Sequence, residues 1–130
     1  MRVLVCGGRD YSDMACVFET LDTLAASYSI DLIIHGKATG ADQWADNWAV
    51  KNNVPVFALA ANWLDLTAVP AIIRTRFDGS HYNAAAGWQR NQRLLEEGKP
   101  NLVVAFPGGS GTADMVKRAR AANVEVLAIK

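Results

Sequence analysis

Residues 102–112 read LVVAFPGGSGT, an apolar run that passes directly into a glycine-rich loop. A continuous apolar run of this length is typical of a strand that is buried on both faces of a parallel sheet. The three glycines let backbone amides approach a bound group closely, and Ser110 or Thr112 can begin a helix behind them. Because the start of a helix carries unpaired N–H groups and the positive end of the dipole, this stretch predicts a phosphate site.

The same alternation of strand and helix continues along the chain. Short apolar runs predict five strands, at 3–6, 31–35, 54–59, 102–106 and 124–129. Apolar residues at helical spacing predict four helices, at 12–28, 39–52, 87–97 and 110–122. Ser12 is the expected cap of the first helix, and Gly98 is the expected stop of the third.

Alternating strands and helices are typical of the α/β class. The pattern predicts one three-layer, Rossmann-like domain over residues 1–130, with a mainly parallel sheet of about five strands. Asp78-Gly79 lies between the segments 72–77 and 81–82, and this dipeptide favours the turns of hairpins. We therefore expect a small hairpin around 71–83.

Composition and charge narrow the functional classes. The chain has 130 residues, of which 51% are apolar and 20% are charged, as in an ordinary globular domain. Its 13 basic and 13 acidic residues give a net charge of zero, which argues against nucleic acid as a partner. A local basic cluster could still form within that total, and its candidate members are Arg74, Arg76, Arg90 and Arg93.

The cysteines and histidines give little support to a metal site or a disulfide scaffold. Cys6 and Cys16 form no CxxC pair, and the two histidines lie far apart. We expect Cys6 to be a buried structural thiol and His35 to be a satisfied core residue. No cofactor is expected. No apolar run reaches the length of a signal peptide or a membrane span, which predicts a cytoplasmic protein without a membrane partner.

Three glycine-containing segments follow predicted strands, at 7–10, 35–42 and 107–112. Parallel topology would bring all three to the carboxyl edge of the sheet, where α/β proteins bind their ligands. The candidate ligand-binding residues lie in these segments and on the third helix, and they are Gly8, Arg9, Gly36, Gly40, Asp42, Arg90, Asn91, Pro107, Gly108, Gly109, Ser110, Gly111 and Thr112.

Several candidates also have a structural interpretation. Asp42 is an acid in the first turn of a helix, where the dipole favours it whether or not it binds a ligand. Arg9 could reach into the cleft or pair with Asp10. The tryptophans could stack on a base, but we favour packing roles, in the core or a dimer contact for Trp44 and Trp48 and beside the sheet for Trp63 and Trp88.

Four ordered motifs resemble the SLOG superfamily, and within it the YspA-related branch of small proteins. They are PGGSGT at 107–112, GGRDY at 7–11, the segment from His35-Gly36 to Gly40-Ala41-Asp42, and Ala86-Gly87 with Arg90-Asn91. The resemblance spans nearly the whole chain. It implies a Rossmann-like fold, a nucleotide or nucleotide-derived ligand and a homodimer.

One departure from the superfamily bears on activity. The LOG phosphoribohydrolases resemble PGGxGTxxE, whereas this chain has Met115 at the glutamate position, and Arg90 matches the LOG arginine. A carboxylate near the ribose would stabilise the charge that develops when an N-glycosidic bond breaks, and methionine cannot do this. We therefore favour a module that senses or sequesters a nucleotide.

Two alternatives remain open. The chain could hydrolyse an N-glycosidic bond with a substituted carboxylate, taken from Asp42, Asp10 or Asp114. Its catalytic residues would then be Asp42, Arg90 and Asp114. Single-stranded DNA binding is the third hypothesis, and the neutral net charge disfavours it.

Overall fold

The computed structural model of the protein describes residues 1–61, 73–75, 81–83 and 85–130. Seven strands lie within these residues: β1 Arg2–Cys6, β2 Leu32–His35, β3 Val56–Ala58, β4 Ile73–Thr75, β5 His81–Asn83, β6 Leu102–Ala105 and β7 Glu125–Ala128. Four helices join them: α1 Met14–Ser27, α2 Ala41–Lys51, α3 Ala86–Gly98 and α4 Ser110–Ala121.

Five of the strands form one parallel sheet in the order β3-β2-β1-β6-β7. Helices α1 and α2 pack on one face of this sheet, and α3 and α4 pack on the other. The predicted three-layer, Rossmann-like α/β fold with five parallel strands is therefore confirmed.

Alternate residues of each central strand point to opposite faces, and both faces are covered. Val3 and Val5 pack with Trp48 in the core under α1 and α2, whereas Leu4 packs with Leu94 under α3 and α4. All five side chains are at most 2% exposed. Because burial is two-sided, the strands read as continuous apolar runs rather than alternating ones.

A separate antiparallel pair is formed by β4 and β5, in which Arg74 lies opposite Tyr82. This pairing agrees with the hairpin expected around 71–83. The Asp78-Gly79 turn lies outside the described residues, as do Arg76 and Trp63.

Two helix ends differ from the prediction. Asp13, not Ser12, caps α1, because its Oδ1 accepts the N–H of Cys16 at 3.0 Å. Gly98 is the last residue of α3, and Lys99 takes the left-handed conformation with φ of 50°. A Cβ atom on Gly98 would lie 3.0 Å from Cδ1 of Ile34, so this glycine allows α3 to pack closely against β2.

The peptide groups of Gly8 join the three loops at the carboxyl edge of the sheet. The Gly8 N–H donates to the carbonyl of Pro107 at 2.9 Å, and the Gly8 carbonyl accepts the N–H groups of Tyr11 at 3.2 Å and of Ala41 at 3.3 Å. The loops after β1, β2 and β6 are thus held by backbone contacts at one point. The chain leaves the neighbouring strands β1 and β6 toward opposite faces of the sheet, and a crevice between the loops is expected at this point of divergence.

The backbone contact between Gly40 and Gly8 generates a stability prediction. Gly40 has φ of 73°, and a Cβ atom there would collide with the Gly8 carbonyl oxygen. We expect Gly40→Ala to lower the free energy of unfolding by about 2–4 kcal/mol, because backbone strain and overpacking add. Urea unfolding would measure the change.

Gly111→Ala is the matched control. This residue lies in α4, and no atom lies within 4 Å of a Cβ placed there. The same change should therefore stabilise the protein by about 0.5–1 kcal/mol, because alanine lowers the conformational entropy of the unfolded chain and has the higher helix propensity. An unfolding midpoint of Gly40→Ala equal to that of the parent would contradict the prediction.

Candidate active cavity at the carboxyl edge of the sheet

A cavity of about 690 Å³ opens beside the carboxyl end of β1 and between the loops joined at Gly8. Ten of the thirteen candidate ligand-binding residues line it, and they are Gly8, Arg9, Gly36, Asp42, Arg90, Asn91, Gly109, Ser110, Gly111 and Thr112. The three segments that were expected to converge therefore meet at one cavity, together with one side of α3.

The first turn of α4 forms part of the cavity wall. Gly109 is the N-cap residue and offers no side chain to cap the helix. The first helical bond of this end runs from the Ala113 N–H to the Gly109 carbonyl at 3.1 Å, and the N–H groups before it have no partner within the helix. No atom lies within 4 Å of a Cβ placed on Gly109 or Gly111, so the space beside this turn is open.

Three predicted binding residues make structural contacts instead, and the described cavity lining does not include them. Pro107 accepts the Gly8 N–H, and Gly40 packs against the Gly8 carbonyl. A Cβ atom on Gly108 would lie 2.7 Å from the Gly8 nitrogen and would collide with Oγ1 of Thr112. These residues therefore hold the loops together.

Arg90 projects from α3 to the end of β2. Its Nη1 donates to the Gly36 carbonyl at 2.5 Å, and its Nε donates to Oδ1 of Asn91 at 3.1 Å. The guanidinium packs on Gly36 so closely that a side chain there would collide with it. Burial lowers the pKa of Arg90, and the charge of Asp42 opposes this shift. Arginine nevertheless stays charged in proteins, and three of its five N–H groups are not used in these two bonds.

Asn91 is 4% exposed and touches both helices of this face. Its Nδ2 donates to the Gly111 carbonyl at 3.1 Å and to Oδ2 of Asp114 at 3.0 Å. Asp114 also accepts from Arg118 Nε at 2.8 Å, and it lines a second hollow of about 420 Å³ rather than the main cavity. The structure thus places Asp114 apart from Asp42 and Arg90, with which it was grouped as a possible catalytic residue.

Asp42 lies in the first turn of α2 and is 5% exposed. Its Oδ2 accepts the N–H groups of Gly36 at 3.0 Å and Ala38 at 3.2 Å, whereas Oδ1 forms no hydrogen bond with the described residues. Burial raises the pKa of Asp42, and the two amide bonds and the positive charge of Arg90 only partly oppose it. Asp42 is a carboxyl group whose proton is held more tightly than usual beside a cavity.

His35 is the buried, satisfied core residue that was expected, whereas Cys6 is half-buried rather than fully buried. The His35 Nδ1 accepts the N–H of Lys37 at 3.0 Å, so its Nε2 carries the proton and donates to Oδ1 of Asp46 at 2.8 Å. Cys6 lines the cavity, and burial followed by the charge of Asp42 raises the pKa of its thiol to about 12. The thiol is therefore protonated and weakly nucleophilic at neutral pH.

The three tryptophans that the structure describes divide between the core and the cavity. Trp48 is buried and donates to Asp22, while Trp44 packs on the same core and donates to the Tyr11 carbonyl. Trp88 instead lines the cavity and is 39% exposed. Of the tryptophans that the structure describes, Trp88 is therefore the one that a ligand in the cavity could contact. The sequence had instead favoured packing beside the sheet for this residue.

The apolar part of the cavity includes Leu94 and Met115. Met115, at the position of the LOG glutamate, is 1% exposed and packs between α4 and the sheet. Gly87 and Leu94 were not predicted as site residues, yet both line the cavity with Arg90. Their spacing of three and four residues from Arg90 places them on its face of α3, and helical periodicity could have found them.

Of the suggested basic cluster, the structure describes the side chains of Arg90 and Arg93, whereas Arg76 and the side chain of Arg74 lie outside the described part of the chain. Arg93 is exposed and pairs with Glu97 one turn along α3, with Nε 2.7 Å from Oε2. Among the described residues, no helix is long and apolar enough to cross a membrane, and no group of His, Cys, Asp and Glu side chains has the arrangement of a metal site.

Comparisons with known proteins agree with this architecture. The model of the YspA, cpYpsA-related SLOG family matches residues 1–65. The Gene 61 protein of Mycobacterium phage D29 is 30% identical over 129 residues, which cover 97% of this chain and 94% of that protein. DNA processing protein A (DprA) from Streptococcus pneumoniae has a similar fold, with a TM-score of 0.70 and 21% identity over 99% of this chain. The chain spans about half the length of that DprA structure.

The raised pKa of Asp42 predicts a dependence of stability on pH. Between the ordinary carboxyl pKa and the raised one, the folded state holds a proton that the unfolded state has lost, so stability falls as pH rises through this window. Asp42→Asn has no proton to lose in this window, so it removes the fall in stability, and its amide oxygen can still accept the N–H groups of Gly36 and Ala38. The parent should therefore lose stability relative to Asp42→Asn as pH rises, and urea unfolding at several pH values would measure it.

Asp31→Asn provides a control of opposite sign. The N-terminal ammonium group bonds to Asp31 and lowers its pKa, so the parent should gain stability relative to this variant as pH rises. A free-energy difference between the parent and Asp42→Asn that is constant with pH would contradict the prediction for Asp42.

Proposed function

The chain belongs to the YspA, cpYpsA-related SLOG family, and we propose that it binds a phosphate-bearing nucleotide or nucleotide-derived ligand in the cavity of about 690 Å³. It would act as a module that senses or sequesters this ligand. The volume lies in the range of cavities that hold small molecules and cofactors.

The observation that carries the proposal is the open first turn of α4, which faces the same cavity as the half-buried Arg90. Gly109 leaves the start of α4 without a capping side chain, and Arg90 lines the cavity with three N–H groups beyond its two internal bonds. Unpaired amides, the helix dipole and a guanidinium all favour a phosphate group. Arg9 lines the cavity as well and adds a second positive charge.

Polar and apolar groups on the rest of the wall suit a nucleoside. Oδ1 of Asp42 forms no bond with the described residues, and a ribose hydroxyl could donate to it. Trp88 offers aromatic surface on which a base could lie, and the buried side chains of Leu94 and Met115 make the floor behind it apolar. The polar and apolar ends of a nucleotide would thus meet matching surfaces.

A second candidate function is hydrolysis of an N-glycosidic bond. Asp42 favours it, because a buried carboxyl with a raised pKa beside a cavity is a candidate acid or base. Met115 opposes it, because a buried thioether stands where a LOG-type enzyme has its glutamate. Among the described lining residues Asp42 is the only carboxylate, so hydrolysis would depend on this group alone.

Calorimetry combined with product analysis tests the proposed function. The protein would be titrated with AMP, GMP, CMP, UMP, nicotinamide mononucleotide and ADP-ribose, with the unphosphorylated nucleosides as controls. We expect saturable binding of at least one phosphate-bearing compound, weaker binding of its nucleoside, and recovery of the compound intact. Absence of binding across the panel would contradict the proposal, and release of free base at enzyme-like rates would replace it by the hydrolase.

Gly109→Val tests the phosphate subsite itself. A Cβ atom at this position has no protein atom within 4 Å, so we expect a branched side chain to enter the open space beside α4, keeping the fold and excluding an anion. We expect the affinity for the tightest phosphate-bearing compound of the panel to fall by about tenfold or more, which corresponds to about 1.4 kcal/mol.

Ala113→Val supplies the control for that variant. Ala113 is an exposed residue one turn along α4, and the described lining of the cavity does not contain it. The substitution adds a branched side chain to the same helix and should leave the affinity unchanged. An unaltered affinity of Gly109→Val would remove the loop from the binding site.

A further inference from the structure

Asn91 uses every polar atom of its side chain to join two elements of the cavity. Oδ1 accepts from Nε of Arg90 at 3.1 Å, and Nδ2 donates to the Gly111 carbonyl at 3.1 Å and to Oδ2 of Asp114 at 3.0 Å. Asn91 is 4% exposed, so water does not compete freely for these bonds. The sequence grouped Asn91 with the ligand-binding residues, but its donors and acceptor are already engaged by the protein.

The chemistry of the three partners fixes the orientation of the Asn91 amide. The Gly111 carbonyl and the ionised carboxylate of Asp114 can only accept, so the nitrogen must face them. The Nε–H of Arg90 can only donate, so the oxygen must face it. A flipped amide would set two acceptors against one another and two donors against one another. Asn91 thus has one satisfied orientation.

We propose that Asn91 is a positioning residue that sets the Arg90 guanidinium in a fixed place relative to the first turn of α4. Arg90 belongs to α3 and Gly111 to α4, and Asn91 bonds to both. The effect of Asn91 on ligand affinity rests on the proposed function, because the Arg90 guanidinium and the first turn of α4 are the proposed phosphate contacts. A phosphate then meets donors that are already arranged, which lowers the cost of binding.

The bonds of Asn91 continue away from the cavity and anchor the amide. Asp114 is paired with Arg118, and Nη1 of Arg118 donates to Oε1 of the Gln92 side chain, in a bond of 3.0 Å. This chain of bonds returns to α3 one residue after Asn91. Asp114 therefore acts here as an anchor for Asn91, which accounts for its position outside the main cavity.

A nitrogen–proton NMR spectrum of arginine side chains tests the positioning without any ligand. The Nε–H of Arg90 is partly buried and hydrogen-bonded, so its exchange with water should be slow, and its signal is assigned by its loss in Arg90→Ala. In Asn91→Ala we expect exchange of this proton to accelerate by about tenfold or more. Asn91→Asp keeps an oxygen for Nε and should keep the slow exchange, even if it is less stable.

The signals of other arginines report on general loosening. Arg93 Nε bonds to Glu97 and Arg2 Nε bonds to the Lys99 carbonyl, both away from Asn91. Their exchange should not change in Asn91→Ala. Unchanged exchange of the Arg90 Nε–H in Asn91→Ala would overturn the proposal, and so would equal acceleration at all three arginines.

A double-mutant cycle tests the consequence for binding, with inorganic phosphate as the probe and the Gly109 and Gly111 amide shifts as the signal. Asn91→Ala should weaken phosphate binding by about tenfold in the parent, but by only about twofold in Arg90→Ala, where only the bonds of Asn91 to Gly111 and Asp114 remain to be lost. If Asn91→Ala weakened phosphate binding equally in the parent and in Arg90→Ala, the proposal that Asn91 acts through Arg90 would be overturned. Asn101→Ala removes another asparagine bond between two segments, to the Arg2 N–H, and should leave phosphate binding unchanged.

The two measurements separate the inference from the proposed function. If the parent fails to bind phosphate or any nucleotide of the panel, the proposed function is wrong, and the exchange of the Arg90 Nε–H still decides whether Asn91 positions Arg90. If the parent binds phosphate and Asn91→Ala affects neither exchange nor affinity, the proposed function stands and the inference is wrong.

Discussion

The arrangement of the cavity depends on the backbone contacts at Gly8. Its N–H bonds to the loop after β6, and its carbonyl accepts from the loop after β1 and from the start of α2. These contacts require close approach, which Gly40 and Gly108 permit because neither has a Cβ atom. Side chains at these positions would push the loops apart, and the three segments would no longer meet at a single cavity.

The glycines around the cavity therefore have two different roles. Gly40 and Gly108 are packed against protein atoms, whereas Gly109 and Gly111 have open space beside them. The sequence motif PGGSGT does not distinguish these roles, since all its glycines follow the same strand. The distinction matters for interpretation, because a substitution at a packed glycine alters the fold, and a substitution at an open one alters the space left for a ligand.

The fold was readily predicted, because two-sided burial leaves a direct trace in the sequence. The central strands β2, β1 and β6 read as apolar runs and are followed by glycines, whereas the edge strands β3 and β7 are more exposed. The helix ends were less predictable: Ser12 and Asp13 are both good caps, and only the bond from Cys16 decides between them. The single domain, the homodimer, the cytoplasmic location and the site residues stay predictions.

The engagement of Asn91 and the separation of Asp114 could not be predicted, because both depend on contacts between α3 and α4. These contacts bear on the kind of site that the cavity forms. Among the described lining residues the charged groups are Arg9, Arg90 and one carboxyl, Asp42, whose ionisation is disfavoured by burial. Asp114 is paired with Arg118 outside the cavity, so it does not offset the positive charge of Arg90 at the wall. This arrangement supports the proposal that the cavity holds an anionic ligand, whereas the alternative of hydrolysis would depend on the single carboxyl of Asp42.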